Sequence, residues 1–183
     1  MDEKDCVIYS GDKFILEWYY DNNGKSVAYD YFLNTTEDLQ DKFLILIKKM
    51  GDIGKINNIE KFRNEGDGIY AFKPQPDRYL SFFTDGKKGR RKKVMETTYD
   101  KFINSNPKRK AKFEKEYNDF LLSEFILEKM EQEHVSVRTL AKKAGVSPTV
   151  IQKIRTKNAE RINFKTFTNV LHSLGYKINI ERI

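Results

Sequence analysis

Residues 137–155 read VRTLAKKAGVSPTVIQKIR, and their spacing predicts two short helices joined by a tight turn. Ala141 is small enough for two helices to cross closely. Four residues on, Gly145 supplies the turn, where a positive φ costs little without a Cβ. Ser147 is placed to cap the second helix, and Pro148 follows at its first position, where a missing N–H does no harm. Val150, Ile151 and Ile154 then form the stripe that packs back on Leu140 and Ala141. This ordered set is the pattern of a helix-turn-helix.

Downstream, Asn163 is placed to cap a last helix carrying Phe164, Phe167, Val170, Leu171 and Leu174. Gly175 ends that helix, and Tyr176 to Ile180 alternates as a closing strand. Upstream, Pro107 opens a charged helical stretch in which Phe113, Tyr117, Phe120, Leu121, Phe125, Leu127 and Met130 keep a helical rhythm up to Glu133. No linker rich in Gly, Pro or Ser interrupts it, so this helix is expected to connect two halves, 1–118 and 119–183.

The front half has a different texture. Phe14 to Tyr20 reads as a strand closed by the turn Asp21-Asn22-Asn23-Gly24. Ser26 is placed to cap the next segment, and from Val27 to Met50 apolar residues recur every three to four positions, interrupted near Asn34-Thr35-Thr36. Two helices, or one broken helix, fit this pattern. Thr36, Asp38 and Leu39 mark the start of the second and Gly51 and Gly54 its end. Ile59 to Arg63, Gly68 to Lys73, Tyr79 to Thr84 and Lys92 to Thr98 are short runs rich in aromatic or β-branched residues, separated by turn clusters, and predict an antiparallel meander. The expected class is α+β: an N-terminal strand, helices and an antiparallel sheet, followed by an all-α helix-turn-helix domain with a short C-terminal strand.

Composition narrows the partners. The 183 residues include 39% hydrophobic and 13% aromatic side chains, enough for ordinary cores. The longest apolar run, Phe43 to Ile47, is far short of the roughly 20 residues that span a bilayer, and Met1 to Ser10 is acidic without an apolar core, so a cytoplasmic protein with no membrane partner is expected. Cys6 is the single cysteine and His134 and His172 the two histidines; neither a metal site nor a cofactor is expected. The net charge is +7 and the pI about 9.3. From Gly86 to Lys112, eleven Lys or Arg face two acids; from His134 to Lys165, eight basic residues face only Glu160. Clusters of this kind point to a polyanion, with affinity that falls steeply with salt.

Gly68-Ile69-Tyr70-Ala71-Phe72-Lys73, Arg78-Tyr79-Leu80 and Tyr99-Asp100-Lys101 through Pro107 occur in an order and approximate spacing that resembles the RelE superfamily of bacterial toxins, in particular its HigB-like, phage Gp49-like branch. The segment from about Leu121, with Leu174-Gly175 ending its last helix, resembles the XRE-type helix-turn-helix of HigA-like antitoxins. The resemblance implies a fused toxin-antitoxin protein: a ribosome-dependent, metal-independent mRNA endoribonuclease domain joined to an operator-binding domain, acting as a homodimer. Where the family often carries two adjacent lysines, this chain has Lys101-Phe102, and the strand-end arginine is Lys73.

By motif position the resemblance implies Lys73 and Arg78 for phosphate stabilisation, with Arg63 behind them. Tyr99 and Lys101 are implied in proton transfer or base stacking. Arg90, Arg91, Lys108 and Arg109 are candidate RNA contacts. A tyrosine or lysine base needs a positive field to lower a pKa that starts near 10. In the helix-turn-helix, Pro148, Thr149, Gln152 and Lys153 occupy the start and exposed face of the second helix, where base edges are met. Gln suits adenine and Lys guanine, while Thr139, Ser147, Lys157 and Lys165 are placed for phosphates. Val137 stands where the first helix usually begins with a polar residue. The alternative reading is a transcriptional regulator whose front domain is catalytically inactive and serves as a binding module.

Overall fold

The computed structural model describes residues 6–84, 96–155 and 163–178, and the chain divides into two compact units, Met1–Glu116 and Tyr117–Ile183. Helices and two small antiparallel sheets make it an α+β protein. Among the described residues no helix is long and apolar enough to cross a membrane.

The first unit opens with a hairpin of β1 (Val7–Ser10) and β2 (Ile15–Glu17), paired Val7 to Glu17 and Ser10 to Ile15 around an irregularity. The acidic N-terminal segment thus supplies a strand its composition did not announce, and the strand expected over 14–20 contracts to three residues. Two helices follow, α1 (Val27–Leu33) and α2 (Glu37–Ile53). Ser26 caps α1 by accepting from the Tyr29 N–H, and Gly54 ends α2 at φ 79°. Gly51 does not end α2. It lies within the helix, where a Cβ would come 2.6 Å from the Tyr9 ring, and its carbonyl accepts from the N–H groups of Lys13 and Phe14. The missing side chain lets the hairpin rest directly on helix backbone.

The meander is β3 (Phe62–Gly66), β4 (Ile69–Phe72) and β5 (Tyr79–Phe82), antiparallel in that order, with a bulge between Asn64 and Gly66. Phe62, Phe72 and Tyr79 are register partners, and Phe72 and Tyr79 meet Phe43 of α2, the Phe43 and Tyr79 rings stacked at 4.1 Å. That is the core face. Trp18 joins the same core, stacked on Phe43 and donating from its indole to Thr98 Oγ1 at 2.9 Å. By strand alternation Arg63, Ala71, Leu80 and Phe82 belong to the opposite face.

The fourth meander strand expected over 92–98 is not seen in its described part. Residues 92–95 lie outside the described residues, Glu96 and Thr97 carry no regular structure, and a π-helical turn follows at Asp100–Asn104. Local polar capping accounts for the turn: the Asp100 carboxylate accepts from the Thr97 backbone and hydroxyl, and the Asp100 N–H donates back to Thr97. Helix α3 (Pro107–Gln132) is then one continuous element, about 39 Å long at 1.5 Å per residue, capped by the Asn106 side chain.

The second unit contains the C-terminal part of α3 with α4 (Val137–Ala144), α5 (Pro148–Arg155) and α6 (Phe164–Ser173). Leu140, Ile151, Ile154 and Val170 are fully buried in one cluster with Ile126, Met130, Ala141, Ala144, Leu171 and Leu174. Asn163 caps α6 by accepting from Thr166 N–H at 2.8 Å. The strand expected from Tyr176 is not formed over residues 176–178, and Asn179 and Ile180 lie outside the described residues. The Tyr176 ring instead meets Phe125 edge-on at 5.2 Å.

Candidate functional site

Two places bring the expected residues together, one in each unit. In the first, Lys73 directly follows β4 and Arg78 directly precedes β5, so the loop between the two strands sets them side by side. Both reach the same carboxylate: Glu65 Oε1 lies 3.5 Å from the Arg78 guanidinium and 3.9 Å from the Lys73 ammonium. Glu65 is the extra residue of the β3 bulge, a device that redirects one side chain out of strand alternation. The local sequence Asn64-Glu65-Gly66 carried that signal, since the Asn64 side chain accepts the Gly66 N–H and shapes the bulge. Lys73 is the less available of the two cations. Only 12% of its side chain is exposed and it also donates to the Ile59 carbonyl at 3.1 Å, whereas Arg78 is 57% exposed. Arg63 is exposed on the same outer face, opposite Ala71.

Tyr99 has a different setting. It is buried, with the Tyr9 ring edge-on at 5.1 Å, the Phe113 ring at 5.4 Å and the Lys48 ammonium 5.7 Å from its ring. Among the described residues it shares no partner with Lys73 or Arg78. Burial pushes its hydroxyl up to about 12, and the opposing field of Lys48 is the smaller effect. The lowered pKa that base catalysis would need is therefore reversed in direction: at neutral pH Tyr99 keeps its proton. Its buried ring is also closed to stacking bases. Lys101 is half-buried within the π-helical turn, beside Phe102.

Arg109 is corrected from an RNA contact to a structural cation. Its guanidinium donates to the fully buried Asp41 carboxylate at 2.7–2.8 Å and to the Gln40 side chain at 3.1 Å, and its side chain is only 9% exposed. Burial raises the pKa of Asp41, while Arg109 and Lys112 oppose that shift. A cation spent on such a carboxylate is not free for phosphate. Lys108, one position earlier, is exposed; Arg90 and Arg91 lie outside the described residues.

In the second unit the turn between α4 and α5 forms around Gly145 at φ 66°, with the Val146 N–H returning to the Ala141 carbonyl at 3.0 Å. Burying Ile151 and Ile154 turns Pro148, Thr149, Gln152 and Lys153 outward, and all four are exposed. Ser147 is exposed immediately before α5, and its carbonyl accepts the Val150 N–H. Thr139 is exposed but already engaged: Ser136 caps α4 by accepting the Thr139 N–H, and the two hydroxyls lie 2.9 Å apart. Ser136, the residue before Val137, thus supplies the polar start of the first helix, which the sequence reading missed by one position. Lys165 is exposed on the first turn of α6, and Lys157 lies outside the described residues. Arg138, Lys142 and Lys143 add exposed charge along α4.

No family model matches this chain, and no curated protein or solved structure matches it.

Proposed function

We propose that this chain is a toxin and an antitoxin fused in one polypeptide, a RelE/HigB-like RNA-cleaving unit followed by a HigA-like unit that binds operator DNA. The observation that carries this reading is the presentation of α5. A wholly buried Ile151 and Ile154 hold the helix on α4 and leave Thr149, Gln152 and Lys153 facing solvent. A helix anchored in this way is what a major groove admits, with Gln152 suited to adenine and Lys153 to guanine. Exposed Lys142, Lys143 and Lys165 suit the phosphates on either side. A homodimer would read two half-sites about one helical turn apart.

In the first unit, the chemistry is attack of a ribose 2′-hydroxyl on its adjacent phosphate, which forms a 2′,3′-cyclic phosphate as the bond to the 5′-oxygen breaks and that oxygen takes a proton from solvent to leave as a hydroxyl. Arg78 and Lys73 supply positive charge for the crowded dianionic phosphorane. Glu65, between them, is the group placed to accept the hydroxyl proton once a phosphate competes for its two cations. Tyr99 acts as core packing among Tyr9, Phe113 and Lys48.

The test uses the full chain. On DNA carrying its own promoter it should give a discrete, palindromic footprint, and Gln152→Ala and Lys153→Ala should each weaken specific binding by about five- to a hundredfold, the range for one base contact. Added to translating ribosomes it should cut message, and Arg78→Ala should abolish the cut. A second reading, a regulator whose first unit is catalytically inactive, is favoured by Glu65 neutralising both cations and by the burial of Tyr99. A footprint with no cleavage by the wild type would select it.

A further inference from the structure

The outer face of the meander carries more than charge. On β5 the alternation that puts Tyr79 and Ser81 on the side of Phe72 and Tyr70 puts Arg78, Leu80 and Phe82 on the other. Leu80 is 67% and Phe82 50% exposed. Phe82 is met by the Tyr19 ring, which follows β2 and is itself 65% exposed, at 5.8 Å and 71° between planes. Single exposed apolar residues are ordinary on a protein surface, but two large rings in contact at the end of a row that begins with a guanidinium are a patch with a direction. Edge-to-face contact is common in buried aromatic pairs too; what sets this pair apart is that both rings remain at least half exposed.

We propose that Tyr19 and Phe82 form a base-stacking platform for single-stranded RNA, whose backbone is held by Arg78 and Lys73 from the other end of the same face and by Arg63, level with Leu80. The proposal rests on the reading of the first unit as an RNA-binding unit and names how it grips the strand. Charge decides between occupants. A protein partner attracted by apolar rings alone has no use for the basic residues Arg78, Lys73 and Arg63, of which Glu65 meets the first two, whereas a single strand offers phosphates to the cations and a π-face on every base to the rings. From Arg78 to Phe82 the backbone advances about 13 Å at 3.3 Å per residue, and the Arg78 guanidinium reaches back along that span to Glu65, which the register sets between the levels of Ser81 and Phe82. Because stacking tolerates any base, the platform adds affinity and sets how much flanking strand is needed; it does not read sequence.

The experiment measures binding of the full chain to a short oligouridylate and to an abasic oligomer of equal length, with duplex DNA present to occupy the second unit. Tyr19→Ala/Phe82→Ala should weaken oligouridylate binding roughly ten- to a hundredfold and leave abasic binding and thermal stability unchanged, because both rings are largely exposed. Tyr19→Phe and Phe82→Tyr should retain wild-type binding. Arg78→Ala should weaken both oligomers and flatten the salt dependence by about 0.7 in log–log slope, one phosphate on a single strand. Wild-type affinity in the double variant, while Arg78→Ala still weakens binding, overturns the platform and leaves the RNA-binding reading standing. No binding of either oligomer by the wild type overturns both. A change of oligomeric state in the double variant without a change in RNA affinity assigns the rings to a protein interface and overturns the proposal.

Discussion

At the scale of single residues, burial reassigns two of the candidate site residues, Tyr99 and Arg109. Tyr99→Phe keeps the ring among Tyr9, Phe113 and Lys48 and should leave RNA cleavage within about twofold, whereas Tyr99→Ala should cost about 3 kcal/mol of stability by opening a cavity; cleavage kinetics beside urea unfolding separate the two. Arg109→Ala removes the close, hydrogen-bonded cation from the buried Asp41 carboxylate and leaves it the Lys112 ammonium at 3.8 Å, which should cost about 3 kcal/mol at neutral pH. Its sign with pH follows from linkage. A carboxyl whose folded pKa is raised binds more protons folded than unfolded, so the folded state loses stability as pH rises from the unfolded value of about 3.9 through the folded value. Without Arg109 that folded value rises further. The deficit of the variant should therefore shrink on acidification, read as urea midpoints closer together at pH 4 than at pH 7. A variant equally deficient at both pH values would show that Asp41 does not carry the loss. Neither residue's fate was legible locally. Arg109 and Asp41 are 68 positions apart, and each side chain by itself is an ordinary charged group on a helix.

At the scale of elements, the glycines separate two kinds of constraint. Gly145 has φ 66° and open space where a Cβ would stand, so Gly145→Ala should cost only the left-handed backbone penalty, about 1–2 kcal/mol. Gly51→Ala needs no unusual φ but drives a Cβ into the Tyr9 ring. That ring is held by a hydroxyl that donates to Asp52 at 2.8 Å and accepts from Lys48 at 2.7 Å, so the cost should reach about 1–3 kcal/mol of overpacking and be felt in the β1–β2 hairpin. Hydrogen exchange at Lys13 and Phe14, whose N–H groups bond the Gly51 carbonyl, reports it directly; unchanged protection there would sink the argument. The contrast explains what could be read in advance. The turn at Gly145 is specified by neighbours within ten residues, and its two helices were legible, although the cap of α4 at Ser136 was not. Gly51 looked like a helix stop because a glycine's signal is the same whether it ends a helix or admits another backbone.

At the scale of the whole molecule, the clearest physical expectation is alkaline loss of stability. Burial pushes Tyr79 and Tyr99 each up to about 12, and Tyr9 is raised as well, by burial first and then by Asp52. The folded state keeps these protons where the unfolded chain, with tyrosines near 10, has lost them. Stability should hold below pH 10 and fall as pH rises from about 10 to 12. A spectrophotometric titration should show these tyrosines ionising together with unfolding, late relative to the exposed ones. Association with duplex DNA is a property of the whole charge distribution, and its affinity should fall linearly on a log–log plot against salt, with Lys165→Ala lowering the slope by about 0.9 if that residue holds one phosphate.

The chain's sequence by itself determined the α+β class, strands β4 and β5 of the meander, the helical pair around Gly145 and the outward face of α5, whereas β3, expected over 59–63, forms over Phe62–Gly66. These depend on alternation, helical period and capping, which act between residues close in the chain. Only the tertiary structure decided that Glu65 stands between Lys73 and Arg78, that Tyr99 and Arg109 turn inward, and that Tyr19 meets Phe82. Which polar group is buried, and which ring stays in water, depends on the meeting of distant elements. Desolvation at those meetings outweighs any preference carried by the residue alone.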